Sequence, residues 1–149
     1  MGYVLNLRQS IGSQQLIVVG AAAVVLKQQQ LLLVKRTDNL LWGLPAGSKE
    51  LTEDLQTTAI RELNEETGLV GQDPKLLTVV SGVGMQYTYP NGDQIDSVTT
   101  VYQLTATGEL RADQDETSLA KFFSLAELPP TLTPITQRIL NQLRITTNL

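Results

Sequence analysis

From Leu16 to Leu26 the chain is almost wholly Val, Ala, Leu and Ile, and after Lys27-Gln28-Gln29-Gln30 the apolar run resumes from Leu31 to Val34. Two strands joined by a polar turn fit this pattern; a buried helix is the competing reading. Hydrophobicity that is continuous rather than alternating belongs to strands covered on both faces, as in a sheet sandwiched between helices. An α/β fold is expected. The 149 residues suit one core of ordinary size better than two. One domain over 1–149 is therefore expected, with 1–14 as an N-terminal extension in which Tyr3-Val4-Leu5-Asn6-Leu7-Arg8 reads as a short helix or strand ending near Gly12.

Cysteine and histidine are both absent, which removes disulfides, zinc–thiolate sites, thiol catalysis and serine–histidine triads. A general base must be carboxylate, lysine, tyrosine or bound hydroxide. Any metal must be held by oxygen, which favours magnesium, manganese or calcium. The net charge of −4 supplies no basic field for a nucleic-acid polymer. A phosphate substrate would then need a cation to offset repulsion. The N-terminus lacks the progression of a signal peptide, and the Leu16–Leu26 run is too short to span a bilayer. A cytoplasmic location with no membrane partner is the expectation.

Trp42-Gly43-Leu44-Pro45-Ala46-Gly47 reads as irregular backbone leading into a helix from Glu53 to Glu66, with Thr52 as its cap and Gly68 as its stop. Leu76 to Val83, Met85 to Tyr89 and Ser97 to Leu104 have strand character, and Pro90-Asn91-Gly92-Asp93 predicts a hairpin turn. A polar, acidic stretch from Arg111 to Thr117 precedes a strand at Leu119–Phe123 and a helical turn at Leu125–Leu128. Thr133 and Pro134 start a last helix with Ile135, Ile139, Leu140 and Leu143 on one face.

On the helix from Glu53, Glu62, Glu65 and Glu66 stand at i, i+3 and i+4, so three carboxylates share one face. Glu65 and Glu66 also lie where the helix dipole disfavours negative charge, each by ~0.3–1 kcal/mol, and no basic residue in that turn relieves them. An arbitrary acidic triplet is a solvated face. A soluble face is better built from alternating charges, however, and a bound dication turns the repulsion into coordination.

The wider spacing resembles the signature of the Nudix hydrolase family: Gly47, Glu53, Arg61, Glu62, Leu63, Glu65, Glu66, Gly68 and Leu69 fill every fixed position. At ordinary residue frequencies such a match arises by chance at a given start roughly once in a billion. The resemblance implies a loop-helix-loop over 47–69 within a Nudix-type α/β/α sandwich with a central mixed sheet. It also implies Mg2+ or Mn2+ held by Glu62, Glu65 and Glu66, with the Ala46 carbonyl as a further ligand if its φ is negative. Arg61 and Glu53 resemble the family's structural ion pair, which forms only if Glu53 bends out of a regular helix, because eight helical residues cover about 12 Å. Leu63 and Leu69 are expected to face the core. A further carboxylate is expected from the acidic loop; Glu116 is the candidate, with Asp113 and Asp115 as alternates. The implied reaction is attack of metal-activated water on one phosphorus of a diphosphate, with Glu62 or Glu116 as base.

Beyond the signature, Arg36 and Lys35 at a strand end either meet phosphate or are simply solvated. Trp42 is a packing anchor or a stacking platform. Tyr87 and Tyr89 share a strand face and either stack a nucleobase or pack across strands. The expected substrate is a small nucleoside diphosphate linked to another group: a nucleotide sugar, ADP-ribose, a dinucleotide or an oxidised nucleoside triphosphate. The turn Tyr89-Pro90-Asn91-Gly92-Asp93 is similar to that of bacterial members of unassigned substrate. Homodimers are common in the family. A nucleotide-sensing relative without catalysis is the alternative, though such relatives usually lose signature glutamates and none is lost here. A calcium-binding structural protein would need a wider oxygen cage.

Overall fold

The computed structural model of the chain describes residues 2–143. Helix α1 (Tyr3–Ile11) ends at Gly12 and leads into β1 (Leu16–Val24); β2 (Leu26–Lys27) and β3 (Gln30–Arg36) form a hairpin. Both apolar runs are strands, not a helix. Gln28 and Gln29, at φ 52° and 63°, make the two-residue connection in the left-handed conformation that a type I′ hairpin turn requires. The chain continues through β4 (Trp42–Gly43), β5 (Ala46–Ser48), α2 (Leu55–Thr67), β6 (Val70–Val80), β7 (Gln86–Thr88), β8 (Gln94–Thr107), β9 (Thr117–Ser124) and α3 (Pro134–Leu143).

A mixed sheet runs in the order β5-β1-β8-β6, with β7 also paired to β8; β1 and β8 are parallel and the other pairs antiparallel. A second, antiparallel sheet joins β2, β3 and β4, with β9 on β3. Alternate residues of β1 explain the continuous hydrophobicity. Ala21 and Ala23 pack with Ala59 and Leu63 of α2 and with Leu32, Leu69 and Leu104. Ala22 and Val24 pack with Ile139 and Leu140 of α3 and with Leu31, Leu33 and Val101. The mixed sheet thus lies between α2 and α3, and the α/β/α expectation holds.

Several boundaries differ from the sequence reading. Thr52 does not cap α2: it sits in a turn at φ 65°, and Asp54 is the cap, its carboxylate accepting from the Thr57 amide at 2.8 Å. The helix therefore starts at Leu55, two residues after Glu53. Strand β6 begins at Val70 rather than Leu76. Pro74 cannot donate to the ladder, but the strand has only one sheet neighbour and a register shift between Gln72 and Lys75 absorbs the proline. Leu125–Leu128 is a turn and not helical. Thr133 does cap α3, its hydroxyl accepting from the Thr136 amide at 3.2 Å. Among the described residues no helix is long and apolar enough to cross a membrane.

Candidate active site

The site is built where β5 runs beside β1 and over the middle of α2. Ala22, Ala21 and Gly20 pair with Ala46, Gly47 and Ser48, and the approach needs glycine twice. A Cβ on Gly20 would lie 2.4 Å from the Gly47 carbonyl oxygen, and a Cβ on Gly47 would lie 2.2 Å from both Cδ and Oε1 of Glu62. The Glu62 carboxylate therefore rests directly against the β5 backbone. One residue earlier, the Ala46 amide donates to Glu66 Oε2 at 2.9 Å. Ala46 is absent from the positive-φ residues, so alanine sits there without strain.

Arg61 ties the acidic groups together. Its Nε donates to Glu53 Oε2 at 2.7 Å, and its Nη2 donates to Glu53 Oε1 at 2.9 Å and to the Ser48 carbonyl at 3.0 Å. Its Nη1 donates to Glu62 Oε1 at 2.8 Å and to Glu65 Oε2 at 3.3 Å. The pair with Glu53 forms because Glu53 lies outside the helix, before its cap, and folds back along the first turns. Glu53 also accepts from the Thr58 hydroxyl at 2.7 Å and the Glu50 amide at 3.1 Å. The last turn of α2 indeed holds no basic residue. Relief for Glu65 comes instead from Arg61, reaching down from the turn before, and Glu66 takes the Ala46 amide.

Burial sets the electrostatics. Glu62 and Glu66 are buried while the Glu65 side chain is 55% exposed. Desolvation pushes the Glu62 carboxyl up to about 7, against the pull of Arg61 and with the fields of Glu65 and Glu116 adding to it. Glu66 is pushed well above the usual carboxylate range by burial and by Glu62, with the Ala46 amide opposing. Glu53 goes the other way, held at about 2 chiefly by its hydrogen bonds to Arg61. Among the described residues no three carboxylates already converge on one point in a metal-coordinating arrangement; the Arg61 guanidinium bonds both Glu62 and Glu65. The donor set nevertheless fits a hard dication: oxygen only, with two buried carboxyl groups whose ionisation is costly until positive charge arrives.

Glu62, Glu65 and Glu66 open onto a cleft of about 810 Å³ that Glu116 and Asp115 also line. Glu116 is raised by burial and by Asp113 and Asp115, and its field reaches both Glu62 and Glu66. Its backbone carbonyl accepts from the Thr37 amide at 3.0 Å, anchoring the loop. Asp113 has a different task. Its Oδ1 accepts from the Asp115 and Thr117 amides and the Thr117 hydroxyl at 3.0–3.1 Å, so it shapes the loop.

Arg36 is neither free nor simply solvated: it makes a two-pronged ion pair with Asp38 at 2.9 and 2.8 Å and stacks on the Tyr89 ring, 5.4 Å from its centre. Tyr87 and Tyr89 meet edge to face at 4.9 Å, and the Tyr87 hydroxyl accepts from the Asn39 amide group. Arg36, Asp38, Tyr87 and Tyr89 all line the cleft. Asp38 and Asn39 were not singled out in the sequence; the only signal was an acid two residues after Arg36. Trp42 packs edge to face on Phe123 at 4.7 Å against the α3-side core, the anchor reading. Lys35 lies over its ring at 6.0 Å and does not line the cleft. Sequence reasoning also missed the buried hydroxyl pair Ser97–Thr99, the contribution of α1 to the cleft, and Arg8, whose burial was not expected in a short leading segment.

Comparison with known proteins agrees with this architecture. A curated ADP-ribose pyrophosphatase of Methanocaldococcus jannaschii is 34% identical over 101 residues, 64% of this chain and 55% of that protein. A Mycobacterium tuberculosis protein carrying the mutator name MutT4 is 33% identical over 102 residues, 66% of this chain. The chain spans only 39% of the second relative's length and little more than half of the first. The crystal structure of a MutT NUDIX hydrolase from Burkholderia pseudomallei superposes with a TM-score of 0.72 at 30% identity, covering 85% of this chain and 98% of that one. The NUDIX domain model matches residues 16–143, from β1 through α3. With the family match spanning every strand and the signature helix lying beneath Gly47, the chain belongs to the Nudix family.

Proposed function

We propose that the chain is a divalent-metal-dependent pyrophosphohydrolase acting on a nucleoside diphosphate linked to a second group. Nucleotide sugars, ADP-ribose, dinucleotides and oxidised nucleoside triphosphates are the class, and ADP-ribose comes first because a curated relative is an ADP-ribose pyrophosphatase. The observation that carries the reading is the pair of buried carboxyl groups, Glu62 and Glu66, set against the β5 backbone and both raised by burial. Such groups call for positive charge.

Glu62, Glu65, Glu66 and the Ala46 carbonyl would hold Mg2+ or Mn2+, with Glu116, which lines the same cleft, completing the set. When bound, the ion supplies charge neutralisation for the diphosphate and lowers the pKa of water. Arg61, gripped by Glu53 and Ser48, fixes the side-chain position of Glu62. Glu62 or Glu116 takes the proton from the attacking water, since each is a carboxylate facing the cleft and each is tuned above its ordinary value.

The test is phosphate or nucleotide release from a panel of these substrates with magnesium or manganese against chelator, for the native chain and Glu65→Gln. Metal-dependent turnover that falls by two or more orders of magnitude in the variant is expected. Turnover that survives Glu65→Gln overturns the ligand assignment. Absence of turnover on every substrate, alongside tight nucleotide binding, would favour a nucleotide sensor.

A further inference from the structure

The cleft extends past the carboxylates into a groove. Its floor is the paired stretch Val18 and Gly20 of β1 with Ser97 and Thr99 of β8, all four lining the cleft. The two hydroxyls are buried and bonded to each other at 2.7 Å. Ile135 of α3 and Val4 and Leu5 of α1 line it as well. Helix α1 precedes the segment 16–143 that matches the family model, so the cleft is walled in part by residues which that model does not cover.

That helix is fastened at both ends. At its start the Tyr3 amide donates to Glu50 Oε2 at 2.9 Å, placing a carboxylate at the positive end of the helix dipole. At its end the buried Arg8 guanidinium donates to the Gly12 carbonyl at 3.0 Å, to the Gln14 carbonyl, and to the Gln94 carbonyl of β8 at 2.6 Å, with Asp93 at 3.9 Å. Three backbone carbonyls and the Asp93 carboxylate thus share the Arg8 guanidinium, which holds the end of the helix against β8. Glu50 is in turn bonded to Glu53 through its amide. The helix is thus anchored to the same loop that grips Arg61. Leu5, 56% exposed, keeps its side chain free at the groove.

We infer that α1 is a fixed wall of the nucleoside subsite, with Leu5 covering the apolar face of a base or sugar whose polar edge meets the Ser97 and Thr99 hydroxyls. The inference rests on the pyrophosphohydrolase reading for the placement of the diphosphate, and it adds that Leu5 is a specificity-determining residue. Groove and carboxylates are continuous, so a diphosphate at Glu62 and Glu66 leaves its nucleoside within reach of the groove. A half-exposed leucine beside paired hydroxyls suits a ring with one apolar face and hydrogen-bonding edges.

The experiment compares equilibrium binding, by calorimetry with magnesium, of α,β-methylene-ADP and of methylene bisphosphonate to the full chain. The two probes share the P–C–P unit and differ in the nucleoside. Leu5→Ser should raise Kd for α,β-methylene-ADP about 3- to 10-fold, less than a fully enclosed apolar contact would cost, and leave methylene bisphosphonate unchanged. Val83→Ser, at a residue 93% exposed that does not line the cleft, should change neither. Equal loss for both probes, an unchanged Kd for α,β-methylene-ADP, or native binding of the two probes with equal affinity would each overturn the wall. No turnover is read, so a chain that hydrolyses nothing still tests the groove, and the two readings fail separately.

Discussion

Gly47→Ala isolates the closest approach in the site. The added methyl would stand 2.2 Å from Cδ and Oε1 of Glu62 and 2.7 Å from Oε2, about 1.2 Å short of ordinary contact with the nearest atoms. Either the Glu62 carboxylate retreats by that amount or β5 lifts away from α2. Overpacking of this kind costs ~1–3 kcal/mol, or roughly 2–12 °C in Tm for a domain of this size. Displacing a catalytic or ligating group by about 1 Å costs on the order of 10²-fold in rate. Activity should therefore fall far more than stability. Calorimetric Tm and kcat at saturating magnesium measure the two. A double-mutant cycle identifies the cause: in a Glu62→Ala background the methyl has room, so its effect on Tm should nearly vanish. Gly47→Ala with kcat within threefold of native, or a Tm loss unchanged in the Glu62→Ala background, would refute the steric argument.

Asp54→Ala should lower stability through loss of the α2 cap, whereas Thr52→Gly should not destabilise because it relieves a positive φ; urea unfolding of both variants distinguishes them. Glu53, with its carboxyl held at about 2 against an ordinary 4.5, favours the folded state when ionised. Its contribution is fully present above about pH 4.5 and is lost as pH falls towards 2. The stability gap between native and Glu53→Gln should accordingly shrink between pH 5 and pH 3, and a gap that widens on acidification would contradict the sign. Asp113→Asn should loosen the loop that carries Glu116, raising amide exchange at Asp115 and Thr117. Glu116→Gln should lower kcat at least 10-fold with those amides still protected.

The layered fold was legible because apolar runs without alternation call for cover on both sides, and α2 and α3 supply it over Ala21–Val25 and Leu31–Leu33; at the start of β1, Ile17 and Val19 stay exposed. The signature residues were legible because their spacing is rigid. The sequence reading placed the α2 start too early, since Thr52 and Asp54 are both good caps and only the backbone turn at Thr52 decides between them. Strand β6 hid behind Pro74, which reads as a break until a bulge on a strand with a single neighbour accommodates it. The roles of Arg36 and Asp38 depend on Tyr89 arriving from a distant hairpin, and Arg8 is buried by carbonyls of residues 12, 14 and 94. Contacts of that range leave no local periodicity to read. The exposed face of Leu5 was likewise invisible, because only the folded chain brings α1 to the groove.

Hydrolysis at the carboxylate cluster proceeds, on the proposed function, by attack of water on phosphorus. Turnover of the best substrate of the panel in ¹⁸O-enriched water, with magnesium present and the products resolved by mass spectrometry, tests it most directly. One ¹⁸O atom in a phosphate group of a product, with no turnover in chelator, is the predicted result. Label carried on a sugar carbon, or turnover indifferent to chelator, would contradict it.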